Sequence, residues 1–300
     1  MNVCDPLTTE LLARGPYVRR GAPFHLVHLK GPDAGDFLQR LCSQDVLALG
    51  VGQMAPAAFL DSKGKLLVTC LVSRLADGFA LEMQAHQAER LCQLLERYHF
   101  TEKITIVPPA PSSTCTEWIA AAGSEEPMPT SGVRIAWTRR GISFVRVHGE
   151  SEALPQLAAS ELGDDLAECL RMAAGIVKVL VDTEPTTLAL EAFLDDHCSA
   201  TKGCYTGQEI VARIHTYGHT NRALCLLDLS DGPRLSVPVV LREPEDDLPV
   251  GRVMAAVPIP GHARRRSLGY LPKDFQAAGT KLTLEGGGEV VVIATFVEPA

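Results

Sequence analysis

The chain has 300 residues, with 28 Lys and Arg against 36 Asp and Glu, for a formal net charge of −8. The acidic balance argues against broad electrostatic binding to nucleic acid. A composition of 46% hydrophobic and 21% charged residues is globular and too apolar for intrinsic disorder.

In chain order, Phe24 to Leu29 reads as a strand ended by Gly31-Pro32. Asp33 is placed to cap a helix carrying Phe37, Leu38 and Leu41. Phe59 to Asp61 ends a strand, Ser62-Lys63-Gly64-Lys65 turns, and Leu66 to Ser73 is the next strand. Ala76-Asp77-Gly78 supplies turn chemistry before Phe79 to Met83. Ala88 to Tyr98 has helical spacing, and Ile104 to Val107 is again strand-like. A second half begins near Cys115. Trp118 to Ala122, Val133 to Trp137 and Ile142 to Val147 predict strands, and Ala153 to Leu162 and Leu166 to Ala174 predict helices. Strands followed by helices, twice over, predict an α+β body of two similar halves, about 1–112 and 113–223. From Leu224 onward six short apolar runs alternate with Gly, Pro and acidic turns, which predicts a small β-barrel over 224–300. Arg264-Arg265-Arg266 is expected to be a solvated loop between two of these strands, and Gly286-Gly287-Gly288 a hairpin turn.

Nine cysteines stand at 4, 42, 70, 92, 115, 169, 198, 204 and 225, with no C-x-x-C pair. That pattern suits neither a disulfide framework nor a zinc finger, and predicts thiols kept reduced in a cytoplasm. No metal site is expected; His215 and His219 are separated by Gly218, which breaks a shared helix face. No secretory signal is visible around Asp5 and Glu10. The uncharged stretch Val46 to Leu60 is too short and broken to span a bilayer.

The segment richest in chemistry is Lys202-Gly203-Cys204-Tyr205-Thr206-Gly207-Gln208-Glu209. Thr206 and Glu209 have capping-box spacing, and Ile210, Val211 and Ile214 form an apolar stripe, so a helix is expected to start near Gly207. Cys204 then lies just ahead of a helix N-terminus, where thiolate is favoured, with Lys202 and Arg213 as candidate neighbouring cations. Gly203 is expected to allow a tight turn around the thiol. The competing reading makes Cys204 a small apolar packing residue.

Lys202 to Arg213 resembles the K-G-C-Y-x-G-Q-E-x-x-A-R signature of the YgfZ family, folate-binding relatives of GcvT. Leu29 to Gln39 with Asp45-Val46, Asp61 to Lys65, Asn221-Arg222 and Gly251-Arg252-Val253 extend the resemblance over most of the chain. The resemblance implies a GcvT-like three-part ring with tetrahydrofolate or a derivative in a central cavity. It implies a role in assembling or repairing iron–sulfur clusters in client enzymes, including radical enzymes that methylthiolate tRNA. The functional thiol carries over to Cys204, supported by Lys202, Gly203, Tyr205, Thr206, Gly207, Gln208, Glu209 and Arg213, and Phe24 carries over to the folate pocket. Ala167, Val177 and Pro185-Thr186 depart from the family pattern, with Glu184 or Glu191 as replacements for a lost pterin-binding side chain. Two other functions compete: a folate-dependent aminomethyltransferase, and a docking scaffold in which Cys204 only packs. Direct nucleic-acid and membrane contacts are not expected.

Overall fold

The computed structural model describes residues 4–110, 114–129, 131–149, 159–218, 220–233 and 235–296. Helix α1 (Pro6–Ala13) was not among the expected elements. Its signals are nonetheless present: Asp5 accepts a hydrogen bond from the Thr8 amide at 3.2 Å, and Pro6 occupies the first turn. Strands β1 (Tyr17–Arg20) and β2 (Phe24–Lys30) follow, then α2 (Ala34–Leu41). Asp33 precedes α2 but does not cap it; its carboxylate accepts the Lys103 amide at 2.6 Å instead.

Strands β3 (Met54–Leu60), β4 (Leu66–Leu75) and β5 (Gly78–Gln84), helix α3 (Ala88–Tyr98) and strand β6 (Thr105–Val107) complete the first layer. The sheet order is β3-β4-β5-β2-β6. Its apolar face packs Val27, Leu29 and Leu81 against Phe37 and Leu38 of α2 and Leu91 and Leu95 of α3.

The second sheet contains β7 (Thr114–Ala121), β8 (Val133–Arg139), β9 (Ile142–Gly149) and β10 (Ser160–Glu161). Its order is β10-β1-β7-β9-β8, so β1 pairs with β7 rather than with its sequence neighbour β2. The helix expected over Ala153 to Leu162 falls partly outside the described residues, and it does not reach Leu162, because Ser160 and Glu161 pair alongside β1. Helix α4 (Asp164–Ala173) matches the second expected helix.

Helix α5 (Gln208–Tyr217) leads into β11 (Arg222–Ser230), β12 (Val239–Arg242), β13 (Pro249–Pro258), β14 (Arg264–Pro272), β15 (Lys281–Leu284) and β16 (Glu289–Thr295). These strands close a barrel in the order β11-β14-β13-β12-β15-β16, filled by Leu227, Leu241, Val253, Leu271 and Val292. The arginine run is not a solvated loop but the start of β14. Arg265 donates to the Ser230 and Pro233 carbonyls, and Arg266, 1% exposed, pairs with Asp5 at 2.9 Å and Asp228 at 2.8 Å. Buried guanidinium groups need such partners, and only Arg264 of the run is exposed. Among the described residues, no helix is long and apolar enough to cross a membrane.

Candidate functional site

Cys204 is the exposed member of the cysteine set. Six thiols are buried and two, Cys4 and Cys92, are half-buried. Burial pushes covered thiols up, Cys198 to about 11 and Cys169 and Cys225 to about 12, so these three stay protonated near neutrality. The sulfur of Cys204 accepts a long hydrogen bond from Gln208 Nε2 at 3.5 Å. The other end of that amide is anchored, because Gln208 Oε1 accepts the Tyr205 amide at 3.1 Å. Gln208 therefore closes a small loop that presents the thiol to solvent at the start of α5.

The motif does this by a different local route from the one its residues suggest. Thr206 does not cap α5. The cap is Gly207, in the left-handed conformation at φ +83°, and no side chain bonds the first turn. Lys202 does not approach the sulfur either. Its ammonium donates to the carbonyls of Cys42 at 2.8 Å and Gln44 at 2.7 Å, and lies 5.1 Å from the Tyr205 ring centre. Burial lowers its pKa from the usual lysine value. Lys202 is thus a strut that ties the motif to the loop after α2. Arg213 is exposed and makes no hydrogen bond or ion pair among the described residues. Glu209 is exposed as well. Gly203 is not needed for tight packing, since a methyl group there would meet nothing within 4 Å.

Gly207 is the glycine that the packing requires. A Cβ on it would lie 2.5 Å from the Asp61 carbonyl oxygen and 3.2 Å from the Gly64 Cα. Gly64, at φ +72°, sits against Ile210 of α5, where a Cβ would come within 2.7 Å of the Ile210 Cβ. The turn Asp61 to Lys65 and the thiol motif, distant in sequence, interlock through these two glycines. Asp61 holds its own turn by accepting the Lys63 and Lys65 amides at 2.8 Å.

A separate narrow cleft, with about 40 Å3 open to water-sized groups, lies between the two sheets. Phe24, Glu82 and Gln84 line it from the first sheet, and Trp137, Arg139 and Arg146 from the second. Ile176, Val177, Leu194 and His197 close one side. Cys204 is not part of this lining. The structure therefore does not bring Phe24 and Cys204 into one site.

The cleft is built on charges that strand alternation hides. On β7 and β9, Glu117 stands directly opposite Arg146 and Cys115 opposite His148. Arg146 gives Nε to Glu117 at 2.8 Å and Nη1 to Glu82 of the facing sheet at 2.8 Å, and its guanidinium covers one face of Phe24 at 3.6 Å. Burial alone would raise the Glu82 carboxyl, but Arg146 and His148 more than offset it and hold Glu82 below its ordinary value. At the other end, Arg139 lies 5.2 Å from the Trp137 ring centre and 4.4 Å from that of Phe193, and pairs with Asp196 at 3.1 Å. Asp196 also engages His197 Nδ1 at 2.7 Å, while burial keeps His197 below the usual imidazole value and hence neutral at pH 7. The Asp195 to Cys198 segment thus serves the cleft.

Glu184 and Glu191 do not line the cleft. Both are engaged by barrel arginines: Glu184 by Arg222 at 2.7 Å and Arg252 at 2.8 Å, Glu191 by Arg222 at 3.3 Å. Ala167 is buried elsewhere, Pro185 and Thr186 are exposed, and Val177 does reach the cleft. A planar amphiphilic ring such as a reduced pterin fits the lining. Trp137 and Phe24 supply aromatic surface, and Gln84 Oε1 and Arg139 Nε are buried without hydrogen-bond partners. Sequence reading missed Glu82, Gln84, Trp137, Arg139, Arg146 and His197. The available signal was a charge placed inside an apolar strand, as in Phe79-Ala80-Leu81-Glu82-Met83 and Phe144-Val145-Arg146-Val147-His148.

Two facing five-stranded sheets, a closed six-stranded barrel and a cleft between the sheets define a protein of the aminomethyltransferase T fold. The crystal structure of the glycine cleavage system aminomethyltransferase T from Bartonella henselae superposes with a TM-score of 0.75 over 99% of this chain and 92% of that one, at 18% identity. In sequence the chain is 26% identical over 262 residues to the tRNA-modifying protein YgfZ of Cronobacter sakazakii, covering 77% of this chain and 78% of that protein. It is 29% identical over 226 residues to the human mitochondrial iron–sulfur cluster assembly factor IBA57, covering 66% and 62%. No family model matches the chain. These similarities support membership of the YgfZ family.

Proposed function

We propose that this protein is a cytoplasmic, folate-binding accessory factor for assembly or repair of iron–sulfur clusters in client enzymes, among them tRNA-methylthiolating radical enzymes, and that it acts through Cys204. The observation that carries this reading is the presentation of a single thiol. Six cysteines are buried and two half-buried, whereas Cys204 is held out on a loop braced by Gln208, Lys202 and the Gly207–Gly64 interlock. One thiolate cannot hold an iron–sulfur cluster alone, since such clusters take four protein ligands. An exposed single thiol therefore suits a cluster or sulfur shared with a client that supplies the rest. The names of the Cronobacter and human relatives support the same assignment.

In this reading the folate binds between the sheets. Phe24 and Trp137 contact its ring, Gln84 and Glu82 meet its hydrogen-bond donors, and Arg139 faces an anionic or carbonyl group. Bound there, a reduced folate supplies one-carbon or reducing chemistry. The chain's own residues bind and orient it. The body over 1–223 carries both cleft and thiol, with 224–300 as the barrel. The aminomethyltransferase alternative is less well supported, because the exposed thiol has no part in that chemistry and lies outside the cleft lining.

The thiol is tested by complementation. Cys204→Ala should fail to restore tRNA methylthiolation in a strain lacking this protein, and full restoration would remove the thiol from the function. The folate is tested by calorimetry. Tetrahydrofolate should bind saturably, and Phe24→Ala should weaken it; no binding at millimolar ligand would remove the cofactor and leave the fold.

A further inference from the structure

We propose that Glu82, Cys115 and His148 form a binding site for one divalent cation of the zinc type, at the inner wall of the cleft and independent of Cys204. One carboxylate oxygen, one sulfur and one imidazole nitrogen from these residues lie within 4.8 Å of one another. All three side chains are buried, Glu82 and Cys115 to 1% and His148 to 6% exposure. This is the mixed oxygen, sulfur and nitrogen donor set that borderline cations favour.

The site is held on rigid elements. Cys115 of β7 and His148 of β9 are directly opposed partners in an antiparallel ladder, which fixes their side chains on one face. Glu82 approaches from β5 in the other sheet. The groups around it divide the carboxylate's two oxygens between separate tasks. Arg146 Nη1 takes Glu82 Oε2 at 2.8 Å, and Oε1 turns to His148 Nε2 at 2.6 Å. Arg146 thus orients the carboxylate from behind, as outer partners of metal ligands do. Its own charge is answered by Glu117, which Arg19 also engages at 2.7 Å. His28, the other titratable group close to this face, is half-buried.

Two atoms in the cluster lack hydrogen-bond partners. His148 Nδ1 is buried with no hydrogen-bond partner, and the Cys115 thiol makes none among the described residues. With a cation bound, the Glu82–His148 contact opens to the ~3.4 Å that two donors on a tetrahedral zinc-type ion require at metal–ligand bonds of ~2.1 Å. The imidazole carries its proton on Nδ1, its Nε2 lone pair goes to the ion, and the Cys115 S–H bond breaks. The thiolate binds the ion and one proton leaves to solvent. Glu82 also lines the cleft, and the fourth position is left for water or a donor atom of a cleft ligand.

The test uses the full chain, stripped of metal with a chelator and titrated with Co2+ as the probe. Wild type is expected to bind one Co2+ per chain, with a thiolate-to-cobalt charge-transfer band and the intense d–d bands of four-coordination. Cys115→Ser should abolish the charge-transfer band and weaken binding at least tenfold, whereas Cys204→Ser should leave both unchanged. Because His148→Gln could unfold the sheet, the second measurement is thermal: Zn2+ should raise the melting temperature of wild type and of Cys204→Ser, but not of folded Cys115→Ser. A wild type with no charge-transfer band, or a band lost in Cys204→Ser and kept in Cys115→Ser, overturns the site. Neither readout depends on folate or on complementation.

Discussion

Gly207→Ala probes how the thiol is positioned. The substitution places a methyl group on a residue at φ +83°, where an L side chain costs about 1–2 kcal/mol. The new Cβ would lie 2.5 Å from the Asp61 carbonyl oxygen and 3.0 Å from the Leu60 Cβ, and neither belongs to a flexible side-chain tip. Forcing such an overlap into packed structure costs a further ~1–3 kcal/mol. The sum, about 3 kcal/mol, corresponds to roughly 6 °C at about 2 °C per kcal/mol for a chain of this size. Gly203→Ala is the internal control, since a methyl group there meets nothing within 4 Å. Differential scanning calorimetry should show the large drop for Gly207→Ala and less than about 1 °C for Gly203→Ala. Alkylation of Cys204 should change in rate for Gly207→Ala, because the Asp61 turn and the thiol loop are pushed apart together. Equal melting temperatures for the two variants would refute the interlock.

Under native conditions iodoacetamide should modify Cys204 well before the other eight cysteines, as read by peptide mass spectrometry; early labelling of Cys42 or Cys198 would contradict their burial. Lys202→Met should cost about 1.5–3 kcal/mol from losing two charge-assisted bonds to the Cys42 and Gln44 carbonyls. It should leave the pH profile of Cys204 alkylation in place, and a clear upward move would show that the ammonium does act on the sulfur. Arg146→Met should destabilise by about 3–5 kcal/mol by leaving Glu82 and Glu117 buried without their cation. The pH dependence follows from Glu82, whose folded pKa is lowered in wild type. Its stabilisation is present above the unfolded carboxylate value of about 4.3 and is lost as pH falls through the folded value. Without Arg146, burial dominates and Glu82 takes up a proton more readily, so the deficit in urea melts should shrink between about pH 7 and about pH 5. A constant deficit would place the lost stability elsewhere.

Most strands of the two sheets and all six barrel strands were legible because apolar runs bounded by Gly, Pro and Asp report local backbone chemistry, but the short β1 and β10, which pair with each other across distant sequence, were not. The position of Cys204 just ahead of α5 was legible because Lys202 to Arg213 is a contiguous motif. What escaped was settled by distant partners. The spacing of Thr206 and Glu209 offers a capping box, yet the helix is entered through Gly207 because the Asp61 turn presses there. Lys202 lies two residues from Cys204 in sequence, but two carbonyls from residues 42 and 44 claim its ammonium. The cleft was hidden because its charges come from facing sheets. Glu82 alone in an apolar strand is an anomaly, and only Arg146, 64 residues away, explains it. The arginine run misled for the same reason, since Asp5 and Asp228 that bury Arg266 lie far from it in sequence.

The path of the first thirty residues bears on how the molecule is made. Asp5 ahead of α1 grips Arg266 of the barrel, β1 joins the second sheet beside β7, and β2 joins the first beside β5. Asp5 and Arg266 are 261 positions apart. At about 5–20 residues per second, synthesis takes roughly 13–50 s to cover that distance. During this time the opening segment is outside the ribosome while its barrel partner does not yet exist. β2 can dock early, but β1 must wait for residues 114–121, and the Asp5 clamp closes only when β14 emerges. Residues 5 to 20 therefore complete these contacts only after residues 114–121 and then β14 have been made.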